Sequence, residues 1–178
     1  MTVLPLTFRR ASLADVAAIV ELVQRAYRGE ASRRGWTTEA DLLDGQRTDR
    51  EEVSELIGAR DARIVLAERG AQLCGSVLLK LEDGAVYVGM FAVEPALQAQ
   101  GLGRALLAEV ERIARAERLG SRLRMTVIGQ RAALIAWYER RGYQRAGRRE
   151  PFPYAEPRCG LPRRDDLYLE VLEKPLAT

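Results

Sequence analysis

VEPALQAQGLGRAL, from Val93 to Leu106, is the stretch of sequence that decides the fold. The segment before it, residues 85–93, is dense in β-branched and aromatic residues and predicts a strand. After the stretch begins, apolar residues recur at the spacing of a helix, which predicts one; they are Leu102, Leu106, Val110 and Ile113. A glycine-bearing turn between a strand and a helix presents free backbone N–H groups and the positive end of a helix dipole. The stretch therefore predicts a binding site for an anion such as phosphate.

Two common phosphate-binding motifs do not fit this stretch. A Walker loop requires Lys and then Ser or Thr after its last glycine, but Gly103 is followed by Arg104 and Ala105. A dinucleotide-binding fingerprint requires a third glycine three residues later, where the chain has Leu106. The pattern that remains is Gln98-x-x-Gly101-x-Gly103. The alternative without function is an ordinary tight turn before a helix.

The composition limits the class of protein and the chemistry. The chain has 178 residues, of which 47% are hydrophobic and 30% charged, as expected for one globular domain over residues 1–178. It contains no histidine, which excludes the commonest general base and the Ser-His and Cys-His pairs. Catalysis would have to use carboxylate, tyrosine, backbone or water. Cys74 and Cys159 are far apart in sequence, and neither a metal site nor a disulfide is expected.

The charge pattern and hydropathy bear on location and partners. The net charge of +3 comes mainly from arginines interleaved with acids, which argues against a nucleic-acid binder. No run approaches the about 18–20 apolar residues of a membrane span, and the N-terminus does not resemble a signal peptide. We therefore expect a cytoplasmic protein that does not bind membranes.

The rest of the chain predicts alternating groups of helices and strands. Residues 6–10 predict a strand, and capping signals at 12–15, 38–41 and 48–51 predict three helical pieces before residue 58. Hairpin turns near Gly70 and Gly84 predict an antiparallel meander over 62–69, 72–82 and 85–93. After the helix that ends at Gly120, we expect a parallel strand at 123–128, a helix at 130–141 and two last strands, starting at 143 and 167. Four prolines make 148–164 a long loop.

A second motif lies about 35 residues beyond the first, at Tyr138-Glu139-Arg140-Arg141-Gly142-Tyr143. It resembles the Y-E-[KR]-x-G-[FY] pattern of the GNAT superfamily of N-acetyltransferases. Gln98-x-x-Gly101-x-Gly103 resembles the acetyl-CoA pyrophosphate loop of the same superfamily, [RQ]-x-x-G-x-[GA]. The resemblance implies an α/β fold, a GNAT fold with a central mixed, mostly antiparallel sheet that is flanked by helices and splayed at the acetyl-CoA site.

The resemblance also implies the chemistry: direct acetyl transfer from acetyl-CoA to a primary amine, without a metal or a covalent enzyme intermediate. In this family a strand amide stabilises the developing oxyanion, and Phe91 occupies that position here. Tyr138 is the expected general acid for the leaving thiolate. The residues expected to contact acetyl-CoA are Phe91, Ala92, Val93, Gln98, Ala99, Gln100, Gly101, Leu102, Gly103, Arg104, Arg131 and Tyr138.

The chain departs from the family pattern at two positions. Tyr87 stands where many members have a glutamate base, so the base is water, Tyr87 or a carboxylate such as Glu82, Glu39 or Asp41. Arg131 replaces a frequent asparagine, which puts that CoA contact in question.

The acceptor is the least determined part of the sequence. The expected acceptor-site residues are Trp36, Glu39, Asp41 and Tyr154, while Arg33 and Arg34 would suit an anionic substrate. The proline-rich loop is a second wall of the site, a dimer contact or a connector. We expect a small-molecule amine, with a protein N-terminus or lysine as the alternative, and a catalytically inactive CoA-binding sensor as the alternative function. Homodimers are common in the family, so a homodimer is also among the expectations.

Overall fold

The structure is a computed structural model that describes residues 4–176. The single-domain expectation for residues 1–178 stays a prediction, and its ends, 1–3 and 177–178, lie outside the described residues. The helices are α1 (Val16–Tyr27), α2 (Gly29–Ser32), α3 (Arg50–Gly58), α4 (Leu102–Ala116) and α5 (Ala132–Glu139). The strands are β1 (Leu6–Arg10), β2 (Leu43–Asp44), β3 (Ala62–Arg69), β4 (Gln72–Glu82), β5 (Ala85–Val93), β6 (Arg122–Ile128), β7 (Gln144–Pro151), β8 (Leu161–Pro162) and β9 (Tyr168–Pro175).

Seven strands form one mixed sheet in the order β1-β3-β4-β5-β6-β9-β7. All neighbours are antiparallel except β5 and β6, which are joined by the crossover helix α4. The parallel pairing consists of Val86 opposite Leu123 and Tyr87 opposite Arg124. Beyond these pairs β5 and β6 separate, and the sheet opens into a cleft at its centre.

Helices cover both faces of the sheet because the inner strands are apolar on both sides. On β3, Val65 and Ala67 face a core shared with α4 and α5, while Ile64 and Leu66 face a core shared with α1 and α3. Burial of these two cores fixes the helices on opposite faces, around the cleft. The predicted fold class, a mixed and mostly antiparallel sheet flanked by helices, is confirmed.

A bulge interrupts β5 beside the cleft. Ser76 lies opposite Ala92 and Leu78 opposite Gly89, so Met90 and Phe91 together face Val77. Met90 has a φ of 44°, in the left-handed region that non-glycine residues rarely adopt. An extra residue of this kind turns the local backbone groups away from the ladder, which makes them accessible to a ligand.

The region between α1 and α3 differs from the prediction. No helix begins at residues 38–41. The short helix α2 lies instead at Gly29–Ser32, and Leu43–Asp44 forms a strand. The Thr38 hydroxyl accepts the Ala40 N–H in a local turn, and the Glu39 side chain pairs with two buried arginines. Capping chemistry at 38–41 thus stabilises a turn, because tertiary contacts outweigh the local helix signal.

The proline-rich segment is shorter than predicted and partly ordered as a strand. β7 continues to Pro151, and β8 pairs antiparallel with β2. Arg163 N–H donates to the Leu42 carbonyl at 2.9 Å, next to this pairing. The segment is therefore held against residues 42–44, on the side of the cleft that α1 covers.

Candidate active site

Two cavities meet in the opening between β5 and β6. The strand cavity, of about 450 Å³, lies between the diverging strands, and the loop cavity, of about 350 Å³, lies against residues 98–104. The residues that line both cavities are Tyr27, Phe91, Arg131, Leu134 and Tyr138. Ligands in the two cavities would therefore meet at these five shared residues.

The loop cavity contains the anion site that the sequence predicts. Gly101 is the N-cap of α4 with a φ of 80°, and no side chain caps this helix in the described chain. The N–H groups at the start of α4 are thus free for a ligand. A Cβ on Gly103 would lie 3.4 Å from the Trp137 ring and 3.6 Å from the Phe91 ring, so glycine keeps this wall of the cavity open. The arrangement fits a pyrophosphate with an attached chain.

The Gln98 side chain joins the loop to its surroundings. Its Oε1 accepts the Trp36 N–H at 3.1 Å, and its Nε2 donates to the Val93 carbonyl at 3.2 Å. Trp36 in turn packs 6.1 Å from Trp137 and lines the loop cavity. Gln98 therefore positions the loop and the segment before residue 38, in addition to lining the cavity.

The structure separates the predicted CoA-binding residues into two groups. Cavity-lining residues are Phe91, Val93, Gln98, Ala99, Gly101, Gly103, Arg104, Arg131 and Tyr138. The other three do not line the loop cavity: Ala92 and Leu102 are buried in the core, and Gln100 is exposed beside Arg69. For Leu102, only the backbone N–H at the helix start remains available as a contact.

Aromatic rings form the wall between the cavities. Tyr138 packs edge-on against Phe91, with 6.3 Å between ring centroids, and against Trp137 at 5.1 Å. Burial raises the pKa of the Tyr138 phenol well above its ordinary value, and the nearby Tyr27 acts in the same direction. The phenol is therefore protonated at neutral pH and able to donate a proton.

Three arginines extend the anion site beyond the loop. Arg104 and Arg141 line the loop cavity and, with Arg140, an adjoining open groove of about 880 Å³. Arg141 stacks on Trp137, with its guanidinium carbon 3.5 Å from the ring centroid. Burial, together with the charges of Arg140 and Arg104, lowers the pKa of Arg141. None of the three forms a salt bridge within residues 4–176, so this cluster suits further phosphate groups. The sequence indicated only Arg104; the two arginines in the second motif were not predicted as contacts.

A buried ion network forms one side of the strand cavity. Glu39 accepts from Arg28 and, at 2.8 Å, from Arg131, whose other amino group donates to the Thr37 hydroxyl at 2.7 Å. Burial alone would raise the pKa of Glu39, but the charges of Arg131, Arg28 and Arg47 lower it below its ordinary value. Glu39 is therefore ionised and fully paired, which makes it a poor general base.

The opposite side of the strand cavity holds the other candidates for the base. The Tyr87 hydroxyl lies 3.2 Å from the Thr126 hydroxyl, at the point where the sheet opens. Glu82 and Glu150 line the same cavity, paired with Lys80 and Arg124 respectively. Glu150 was not predicted, because it belongs to β7, which reaches the cavity only through the pairing of β7 with β9.

The structure brings only part of the predicted acceptor site together. Glu39 lines the strand cavity, but Trp36 lines the loop cavity instead. Asp41 is exposed and pairs with Arg33 at 2.8 Å, and Tyr154 lies outside both cavities, with its hydroxyl accepting the Leu167 N–H. The expectation that Asp41 and Tyr154 contact an acceptor is not supported by these positions. Phe152 and Pro153 line the strand cavity, so the proline-rich segment forms part of its wall, one of the three alternatives that the sequence left open.

Residues 4–176 lack two further kinds of feature, a metal-binding cluster and a membrane-spanning helix. In this part of the chain, no group of three or more Cys, Asp or Glu side chains is placed to hold a metal ion. None of its helices combines the length and apolar character needed to cross a membrane.

Comparisons with solved structures identify the fold. The ribosomal-protein-S18-alanine N-acetyltransferase of Escherichia coli superimposes with a TM-score of 0.70 at 17% identity, covering 98% of this chain and 96% of that one. yncA, a putative acetyltransferase from Salmonella typhimurium solved with its cofactor acetyl-CoA, gives 0.69 at 23% identity, covering 97% and 94%. The paia N-acetyltransferase of Thermoplasma acidophilum, in complex with coenzyme A, gives 0.67 at 16% identity, covering 96% and 99%.

The sequence comparisons identify the family. No curated protein matches the chain significantly. Residues 17–143, which include both motifs and most of the cavity-lining residues, match the Acetyltransferase (GNAT) family. The chain therefore belongs to the GNAT family of acetyltransferases.

Proposed function

We propose that this chain is an acetyl-CoA-dependent N-acetyltransferase that acetylates the primary amine of a small molecule by direct transfer. The observation that carries the proposal is the meeting of the two cavities at Phe91 and Tyr138. A donor in the loop cavity and an amine in the strand cavity would approach each other there, as direct transfer requires.

The loop cavity is the proposed donor site. The amides of residues 101–104 hold the pyrophosphate, and the acetyl thioester that acetyl-CoA supplies lies towards Phe91. Arg104, Arg140 and Arg141 hold the phosphates of the nucleotide end, since none of them has a carboxylate partner in the described chain. Val93 and Phe91 line the path between these two ends.

The residues at the junction have distinct roles in the transfer. The amide at the β5 bulge, at Phe91, stabilises negative charge that develops on the carbonyl oxygen. Tyr138 donates its proton to the leaving sulfur, and its raised pKa keeps the phenol protonated at neutral pH until the thiolate forms. A water molecule removes the amine proton and passes it to Glu82 or Glu150. Each of these has one cationic partner and is partly exposed, whereas Glu39 is buried between two arginines. Tyr87 and Thr126 lie where they orient this water.

The experiment is a pair of measurements on the full chain. Calorimetry is expected to detect acetyl-CoA binding in the micromolar range, and a thiol-release assay with a panel of amines is expected to detect turnover. A folded protein that does not bind acetyl-CoA contradicts the proposal. Binding without thiol release from any amine would instead support the alternative of a CoA-binding sensor.

A further inference from the structure

Arg47 differs from the other arginines of the strand cavity. Arg28 and Arg131 pair with Glu39, and Arg124 pairs with Glu150. Arg47 lines the same cavity, yet within residues 4–176 it forms no salt bridge. Arg47 is therefore a part-buried positive charge with no carboxylate in direct contact, and Glu39 and Glu52 attract it only at longer range.

The position of Arg47 is fixed by its neighbours. Its backbone N–H donates to Gln24 Oε1 at 3.1 Å, and its guanidinium carbon lies 5.2 Å from the centre of the Tyr27 ring. The Tyr27 hydroxyl donates to the Phe91 carbonyl at 2.8 Å. Arg47 is thus held on an aromatic ring that is anchored to the bulge where the two cavities meet.

No carboxylate that lines the strand cavity forms a salt bridge with Arg47, and Glu39, which attracts it at longer range, is shared with two other arginines. Glu39 is engaged by Arg28 and Arg131, Glu82 by Lys80, and Glu150 by Arg124. A charge withdrawn from water needs a partner of opposite sign to recover its lost hydration. Since one carboxylate, Glu39, serves three arginines here, an anionic group on a ligand would complete the site.

The surroundings favour a carboxylate as that group. A guanidinium presents two parallel N–H groups that match the two oxygens of a carboxylate. The nearby start of α3 offers no additional phosphate site, because the Asp49 carboxylate caps it by accepting the Glu52 N–H at 2.8 Å. A cavity of about 450 Å³ also suits a molecule of amino-acid size.

We propose that the acceptor is a small amino carboxylate, such as a free amino acid or a close derivative, and that Arg47 binds its carboxylate. This inference rests on the proposed function, since it names the substrate class of the same reaction. Arg47 is then a specificity-determining residue, and Tyr27 positions it.

The test compares matched acceptors on the full chain. Each amino acid in the panel is paired with its carboxamide, which keeps the amine and side chain but removes the negative charge. The wild-type protein is expected to acetylate the carboxylate member with a kcat/KM higher by about 10- to 100-fold, the range of a charge-assisted hydrogen-bonded pair. Arg47→Gln is expected to abolish most of this preference. Arg47→Lys is expected to retain part of it, because lysine keeps the positive charge but lacks the two parallel N–H groups of the guanidinium.

Arg163→Gln is the matched control. Arg163 pairs with Asp44 on the surface, away from both cavities, so this variant is expected to keep the wild-type preference. Equal kcat/KM for the paired acceptors in the wild type, or an equal loss for both members in Arg47→Gln, would overturn the inference. Turnover of neutral amines alone would also overturn it while leaving the proposed function intact. Absence of acetyl-CoA binding would be a failure of the proposed function itself.

Discussion

The loop cavity and the strand cavity are built in different ways. The loop cavity takes most of its walls from two continuous segments, β5 with the loop and the start of α4, and α5. The strand cavity takes its walls from α1, α5, β2, several loops and five strands of the main sheet, β4, β5, β6, β7 and β9. The two cavities also differ in the pairing of their arginines. Within residues 4–176, three arginines beside the loop cavity form no salt bridge, whereas three of the four arginines that line the strand cavity form salt bridges with carboxylates.

The two cavities therefore need different features of the sequence in order to form. A phosphate site needs backbone N–H groups and glycines at fixed spacing, which a short stretch of sequence provides. The strand cavity instead depends on side chains from distant segments that neutralise one another. We therefore expect the largest effect from a substitution that unbalances the charges of the strand cavity, and smaller effects from substitutions at the loop cavity.

Replacement of Glu39 is expected to have the largest effect. Glu39→Gln removes the charge between two arginines, so the unfolding free energy should fall by about 3–5 kcal/mol and Tm by about 6–20 °C. The pKa of Glu39 is lowered by folding, so its contribution is present at neutral pH and is lost as pH falls through the folded value. Thermal unfolding at several pH values should show the difference from wild type shrinking on acidification. Asp41→Asn, which affects an exposed pair in the same segment, should unfold close to wild type.

Tyr138→Phe tests the residue that both cavities share. Loss of the phenol proton donor is expected to lower kcat by about 10²-fold with little change in acetyl-CoA affinity. Steady-state thiol release and calorimetry measure the two effects separately. Because the pKa of Tyr138 is raised by burial, the wild-type kcat should not decline as pH rises towards about 10, the ordinary pKa of tyrosine. An unchanged kcat in the variant would remove Tyr138 from the mechanism.

The arginine cluster beside the loop cavity is expected to recognise the 3′-phosphate of CoA. Wild-type protein should bind CoA about tenfold more tightly than 3′-dephospho-CoA, as one charge-assisted contact implies. Arg140→Gln and Arg141→Gln should each reduce this ratio, and Arg118→Gln, at the far end of α4, should leave it unchanged. Equal affinities of the wild type for the two nucleotides would exclude the cluster from this role.

The smallest expected effect is a change in the KM for acetyl-CoA, which distinguishes Gln98 from the neighbouring Gln100. Gln98→Ala removes two hydrogen bonds that hold Trp36 and Val93, so the KM for acetyl-CoA is expected to rise by about three- to tenfold. Gln100 has the same side chain two residues away but is exposed outside the loop cavity. Gln100→Ala should therefore keep the wild-type KM, and similar effects of the two changes would mean that the loop does not depend on the Gln98 bridge.

Local patterns predicted the meander strands, the helix after the loop and the second motif, and the structure has these elements in the predicted order. The helix predicted from residues 38–41 was wrong, because Glu39 forms ion pairs with Arg28 and Arg131 that no local pattern indicates. Glu150 and Arg47 were also missed because tertiary contacts bring them to the cavity. Glu150 reaches it through the pairing of β7 with β9, and Gln24 holds the segment that carries Arg47.

By itself, the sequence determined the donor half of this protein, since strand, glycine turn and helix start are adjacent in the chain and their backbone groups form the phosphate site. Tertiary structure alone decided the acceptor half. Which charges are paired there depends on contacts such as Arg131 with Glu39, 92 residues apart in sequence. Arg47 can be distinguished from the other arginines of the strand cavity only in the folded structure, because only there do the others form salt bridges while Arg47 does not.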